Sequence, residues 1–274
     1  MTSLKEYADS RELVVNLTLR ELRSRYKRSV LGWTWSLLNP LASVVIYTIV
    51  FSGFLKVQAP VGDPSGLDSF VMFLLCGLVP WNFISGCLST SLDALVANGN
   101  LIKKVYFPRD LIIVSTVGSL LATFFIELGV VCAVLLVLGN MVLPWLPVAL
   151  LLVALLAVML LGMGMALSVL NVYFRDVKHF MGIALQVLFY SCPIVYPPNL
   201  VPEHSEIFGM NVPVRFLYNL NPFARFIGAF RDVLYDLRFP SLATLAYVVV
   251  WAFGMLALGA WMFRKFEPRL AEEV

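Results

Sequence analysis

The sequence predicts an all-α integral membrane protein: six transmembrane helices, an N-terminal amphipathic interface helix, and a short re-entrant outer helical segment before the last span. Three observations predict it. Of 274 residues, 60% are hydrophobic and only 14% charged, whereas soluble domains carry about a quarter charged residues. Apolar runs of about 20 residues, long enough to cross the hydrocarbon as helices, recur along the chain. The basic residues crowd into the connections on one side of those runs. The same composition excludes an ordinary soluble enzyme and a disordered chain. It also excludes a basic nucleic-acid-binding domain, since 20 Lys and Arg against 17 Asp and Glu leave only +3.

The start of the chain is polar and carries Lys5 with no apolar stretch directly behind it, so a cleaved signal peptide is not expected. Asp9 and Glu12 have capping-box spacing, and Val15, Leu19, Leu22 and Tyr26 recur at four, three and four residues. That periodicity predicts an amphipathic helix over 9–30. Arg20, Arg23, Arg25, Lys27 and Arg28 on its other faces suit a helix lying among anionic headgroups. The same charges also fix topology, and the two roles are compatible.

One transmembrane domain, 1–274, is expected, with spans at 33–55, 68–94, 109–138, 147–171, 179–197 and 241–263. All but five of the 20 Lys and Arg then fall on one side: in the N-terminal segment, beside Lys103, Lys104 and Arg109, beside Arg175 and Lys178, and in the tail. The exceptions are Lys56, Arg215, Arg225, Arg231 and Arg238, four of them in one long connection where the bias is weak. Both termini are therefore expected in the cytoplasm.

The connection 198–240 is too patterned for a plain loop. Asn221 can cap and Pro222 can open a helix in which Phe223, Phe226, Ile227, Phe230 and Leu234 share a face. At about 15 residues this helix cannot span. With Arg225, Arg231, Asp232 and Asp236 on its other faces it reads as a re-entrant or interfacial helix in the outer leaflet; a small helix packed on top of the bundle is the open alternative. No internal repeat is evident, which weakens the case for a secondary transporter.

Catalytic chemistry is poorly represented. Cys76, Cys87, Cys132 and Cys192 sit in apolar stretches without metal-ligand spacing and read as small hydrophobes. His179 and His204 are the only histidines, and there is no HExxH, GxGxxG or GxxxxGK[ST]. An energy source is accordingly expected on another chain. Glu127 is the clear intramembrane carboxylate, readable as an ion site or as a hydrogen-bonded packing residue.

Two further stretches stand out. In 97–108, Asn98 or Asn100 can cap a short helix, Leu101, Ile102, Val105 and Tyr106 offer an apolar knob beside Lys103 and Lys104, and Pro108 can restart the next helix. Docking to a cytosolic partner and contact with lipid phosphates both fit this pattern. The aromatics Tyr47, Phe51 and Phe54, then Phe70, Phe73, Trp81 and Phe83, then Phe189, Tyr190 and Tyr196 fall on the first, second and fifth spans. Such rings suit either an interfacial belt or a surface along which sugars slide.

The run Arg20-Glu-Leu-Arg-Ser-Arg-Tyr-Lys-Arg-Ser-Val-Leu-Gly-Trp-Thr-Trp-Ser-Leu-Leu-Asn-Pro40 is followed by Gly77-Leu-Val-Pro-Trp-Asn-Phe83 and Asn100-Leu-Ile-Lys-Lys-Val-Tyr-Phe-Pro-Arg109. In this order the three closely resemble the permease subunit of bacterial polysaccharide-export ABC transporters, which export O-antigen, teichoic acid, capsule and related lipid-linked glycans. The likeness covers nearly the whole chain and includes Asn221-Pro222-Phe223. Asp110 stands where Glu is more usual.

The resemblance implies a homodimeric permease in the bacterial cytoplasmic (inner) membrane, paired with two copies of a separate ABC ATPase. It implies no cofactor in this chain, since ATP and Mg would be bound by the ATPase, and no nucleic-acid partner. The helix at 9–30 becomes a cytoplasmic interface helix whose Arg20, Arg23, Arg25, Lys27 and Arg28 attract the carrier diphosphate of a lipid-linked glycan. Asn98, Asn100, Leu101, Lys103, Lys104 and Tyr106 become the coupling helix that meets the ATPase. Tyr47, Phe51, Phe54, Phe73, Trp81, Phe189, Tyr190 and Tyr196 become channel-lining candidates, and Asn221, Pro222 and Arg225 mark the re-entrant segment near the exit. Pro80, in mid-span, is a candidate flex point. Two other classes stand beside this one: an ABC permease for a small molecule or lipid, and a proton-coupled carrier or intramembrane enzyme. The single buried acid speaks against the latter.

Overall fold

A computed structural model describes residues 11–26, 34–55, 60–105, 107–207 and 210–270. Its helices, in chain order, are α1 (Arg11–Tyr26), α2 (Trp35–Tyr47), α3 (Phe70–Ala97), α4 (Gly99–Lys104), α5 (Asp110–Val137), α6 (Leu146–Tyr173), α7 (Val177–Ser191), α8 (Val214–Leu220), α9 (Pro222–Leu234) and α10 (Leu242–Phe266). Among the described residues one short antiparallel ladder, Ser205–Ile207 with Met210–Val212, interrupts the helical pattern. It lies in the long connection ahead of α9. The proposed capping residue Asp9 falls outside the described residues.

Among the described residues, four segments are long and apolar enough to cross a membrane: Phe70–Ala97, Asp110–Val137, Leu143–Tyr173 and Leu242–Phe266. A 28-residue helix such as α3 is about 42 Å long, which exceeds the roughly 30 Å of hydrocarbon. The region expected to hold the first span is α2 followed directly by a π-helical stretch, Thr48–Phe54. Where 19 residues were expected over 179–197, α7 has only 15 and ends at Ser191. The cause is local: Cys192 is extended (φ −96°, ψ 148°), as a residue before proline prefers to be, and Pro193 has no N–H with which to continue a helix.

At the centre of the core is α3, buried from Phe70 to Leu95 on most of its faces and packed between α5 and α6. The most extensive helix pair is α6 with α10. Glycines let these two approach: a Cβ on Gly162 would sit 2.3 Å from the Met255 carbonyl oxygen, and one on Gly259 only 1.9 Å from that of Gly162. Close small-residue contact is how apolar helices associate where lipid supplies no hydrophobic drive. Against α5 lies α1, with Thr18 about 3.5 Å from where a Gly118 Cβ would be.

The helix α9 begins at Pro222 with Asn221 as its cap, and it packs on α3, α6 and α10. Its burial is wider than one apolar stripe. Phe223, Phe226, Ile227, Phe230 and Leu234 are buried, and so is Arg231, at 4% exposure. Arg231 had been read as part of the polar outer face, and the structure corrects this by turning it into the bundle.

Candidate functional site

The polar contacts gather at the two ends of α3. At its C-terminal end, the Asn98 side chain donates to the Ala94 carbonyl at 2.8 Å, closing the last turn of α3. Asn98 occupies the N-cap position of α4 without capping it through its side chain. Instead its carbonyl oxygen accepts from Leu101 and Ile102, at 2.9 and 3.0 Å, to start the short helix. The Asn98 side-chain oxygen accepts from the Arg20 guanidinium, which joins α1 to the α3–α4 corner. Two stretches 78 residues apart in sequence thereby become one site.

Around that corner, Lys103 and Lys104 are exposed, as is Asn100, while Leu101 is half-buried. The apolar knob differs from its expected composition: Ile102 is 5% exposed and belongs to the core, whereas Val105 is 52% exposed. Tyr106, Lys27 and Arg28 lie outside the described residues; of Arg25 only the backbone is described, and Arg23 is exposed.

The same end of α3 is clasped to α7 and α6, and a further contact joins α5 to α10. Lys178 at the start of α7 pairs with Asp93 of α3 at 2.6 Å. The buried Asn171 of α6 donates to the Leu92 carbonyl at 2.9 Å. Arg109, just ahead of α5, donates to the Glu267 carbonyl after α10. Exposed ion pairs such as Lys178–Asp93 add at most about 1 kcal/mol, so their significance here is positional. Sequence reasoning used Arg109 and Lys178 only as topology charges.

At the opposite end lies a contact that sequence reasoning missed. Arg231 of α9 donates from Nε to the Phe73 carbonyl at 3.1 Å, from Nη2 to the Ile194 carbonyl at 2.6 Å, and from Nη1 to that of Pro193. Its guanidinium stacks over the Phe73 ring, 3.7 Å from the centroid. Burial pulls its pKa down to about 10, which leaves it charged at neutral pH. A Cβ on Gly77 would fall 2.7 Å from Nη2, so a glycine is needed for the guanidinium to lie there. One side chain thus holds together α3, α9 and the break after α7.

Neighbouring polar groups complete this end. Asn221 accepts from the N–H groups of Phe223 and Ala224, at 3.0 and 3.4 Å, and donates to Ser191 Oγ at 3.3 Å. Pro222 fills the first helical position, and Arg225 is half-buried, donating to the Asn219 carbonyl at 3.1 Å. Tyr235 donates to the carbonyl oxygens of Pro60 and Leu67, both at 2.9 Å.

The aromatic residues separate by burial. Phe73 and Trp81 lie inside the core, Phe73 edge-on to Tyr235 at 5.7 Å and Trp81 edge-on to Phe189 at 5.6 Å. Tyr47 and Phe51 are half-buried, in contact with each other, and Phe51 meets Phe70 at 4.9 Å. Phe54 and Tyr190 are the exposed members, and Tyr196 bonds back to the Tyr190 carbonyl. In this conformation Phe73 and Trp81 pack the protomer's own interior.

Long apolar helices whose polar contacts are concentrated at the helix ends mark a multi-pass membrane protein. A family model for ABC-2 type transporters matches residues 12–235, and the chain belongs to that family. Over 264 residues it is 30% identical to an O-antigen export system permease protein, RfbA, of Klebsiella pneumoniae, covering 95% of this chain and 94% of the relative. An RfbA of Myxococcus xanthus is 27% identical over 259 residues, 91% of this chain and 92% of the relative. The polysialic acid transport protein KpsM of Escherichia coli is 24% identical over 271 residues, 93% of each.

Proposed function

We propose that this chain is the membrane permease of an ABC transporter that exports a lipid-linked polysaccharide across the bacterial cytoplasmic membrane. The observation that carries the proposal is the likeness to O-antigen export permeases, which runs through 95% of the chain rather than one motif. The chain works as a homodimer with two copies of a separate ATPase, which bind ATP and Mg. Each protomer crosses the membrane six times with both termini in the cytoplasm. The first crossing is α2 with its π-helical extension, and the fifth is α7, continued by the Cys192–Tyr196 break towards the outer face. On this reading α9 is re-entrant from the outside, its buried Arg231 solvated by carbonyls rather than water.

The mechanism follows from what is joined to what. The ATPase seats against α4, where Lys103 and Lys104 stand exposed. Because Asn98 closes α3 and receives Arg20, a push on α4 moves α3 and the interface helix α1 as one body. The Asp93–Lys178 pair carries the same displacement to α7. The exposed Arg23, with Arg20, Arg25, Lys27 and Arg28, draws the carrier diphosphate to the entrance. ATP hydrolysis belongs to the partner; this chain supplies the path and the lever.

Co-purification tests the assembly. Tagged chain solubilised from its native membrane is expected to bring down an ATPase in equal amount, and ATP hydrolysis by the complex is expected to depend on this chain. Isolation of the chain without an ATPase, under conditions that keep it monodisperse, contradicts the proposal.

A further inference from the structure

We propose that the uncovered face of α3, with Glu127 of α5 beside it, is a water-lined track that hydrogen-bonds the hydroxyls of a passing sugar chain; this rests on the polysaccharide reading above. Of the four long spans, α3 is the most enclosed. Between Leu78 and Val96, the residues it leaves uncovered are Asn82, Ser85, Gly86, Ser89, Thr90 and Asp93, spaced three, one, three, one and three apart. That spacing places them on one stripe of the helix, successive polar groups about 5 Å apart along the axis.

Near Asn82 a small cavity opens between α2, α3 and α5, with Pro40, Ser43, Leu78, Asn82 and Glu127 among its lining residues. Asn82 and Glu127 thus line the same cavity. At the far end Asp93 meets Lys178 in a pair that is 42% and 59% exposed.

The other spans show what lipid-facing surface looks like in this molecule. Exposed residues of α6 include Leu150 and Leu151, and those of α10 include Val249, Val250, Phe253, Leu258 and Trp261. Apolar side chains cover those helices, whereas amide, hydroxyl and carboxylate groups lie along α3. Polar groups facing hydrocarbon are costly, so this stripe faces water or polar matter. A dry seam against a second copy would have to bury Glu127 and the Asp93–Lys178 pair; a wet path does not. Hydroxyl and amide groups both donate and accept, so they exchange with sugar hydroxyls as a polymer slides.

The test uses the full chain with its ATPase in native membranes, carrying Asn82→Cys, Ser85→Cys or Ser89→Cys. The probe is a charged, membrane-impermeant methanethiosulfonate. Native Cys76, Cys87, Cys132 and Cys192 are all buried and set a low background. Labelling at least about tenfold faster than at Leu151→Cys and Val250→Cys is expected, since only a hydrated thiol ionises and reacts. Equal rates at track and lipid positions overturn the proposal. So does a copy-to-copy disulfide at Ser89→Cys that shuts out the reagent, because the face is then a subunit seam. Separately, Glu127→Gln is expected to retain glycan export and Glu127→Leu to lose most of it; equal export by both overturns the sugar contact. Fast labelling in a complex whose removal leaves glycan export unchanged refutes the polysaccharide reading and keeps the wet face.

Discussion

Replacing Gly77 by Ala tests whether Arg231 is held as the structure shows. The added methyl would lie 2.7 Å from Nη2 and 3.2 Å from Cζ of a guanidinium that three carbonyls and the Phe73 ring fix in place. The side chain cannot swing aside without giving up contacts. Overpacking of this kind costs about 1–3 kcal/mol. In a helix, however, Ala is intrinsically better than Gly by up to about 1 kcal/mol. The account therefore predicts a change of sign with background. Gly77→Ala destabilises the wild type by about 1–3 kcal/mol, but is neutral or mildly stabilising when Arg231→Leu has removed the guanidinium. Arg231→Leu itself costs more, since the Pro193 and Ile194 carbonyls are left without their donor at about 1–3 kcal/mol each. A double-mutant cycle read by reversible unfolding in mixed micelles measures the coupling. An equal effect of Gly77→Ala in both backgrounds refutes the reasoning.

Gly259→Val drives a branched side chain into the Gly162 carbonyl and should cost more than about 3 kcal/mol, removing the monodisperse peak in size-exclusion chromatography; Gly254→Ala, with nothing within 4 Å, should leave it unchanged. Combined replacement of Lys103, Lys104 and Tyr106 by Ala is expected to abolish ATPase association and export while leaving the permease folded; export at wild-type level contradicts the coupling role of α4. Burial pushes the carboxyls of Asp232 and Asp236 above their ordinary 3.8. A raised folded-state pKa means that the stabilisation is complete below that value and is lost as pH rises through the folded one. Asp236→Asn should therefore flatten the fall in melting temperature between about pH 4 and neutrality; an unchanged slope contradicts it.

Much of the architecture is legible in the sequence because hydrocarbon thickness imposes a length and apolar runs report it. Four of the expected spans appear as long apolar helices, and Asn221–Pro222 begins α9 as cap and first residue. The end of α7 was less legible, since the apolar run continues past Cys192 while the backbone stops at the proline pair. Which face of α6 points inward was not legible: from Leu146 to Leu167 it is apolar nearly all round, so periodicity carries no direction there. Ile102 and Arg231 show the related failure. Ile102 was placed in an outward knob and Arg231 on an outer helix face because the surfaces that cover them are built by residues far away in sequence, Phe73 and Pro193–Ile194 in the case of Arg231. Gly77 belongs to a recognisable motif, yet only the guanidinium beside it gives the physical reason for a glycine there.

The central claim is that this chain is the route by which a lipid-linked glycan leaves the cytoplasmic leaflet. The most direct measurement is the sidedness of that glycan in cells lacking the chain, read by an impermeant glycan-cleaving or glycan-labelling probe on intact and permeabilised spheroplasts. The account predicts glycan that accumulates and is reached only after permeabilisation, with outward access restored by the wild-type chain. Glycan fully accessible on intact spheroplasts without the chain contradicts it.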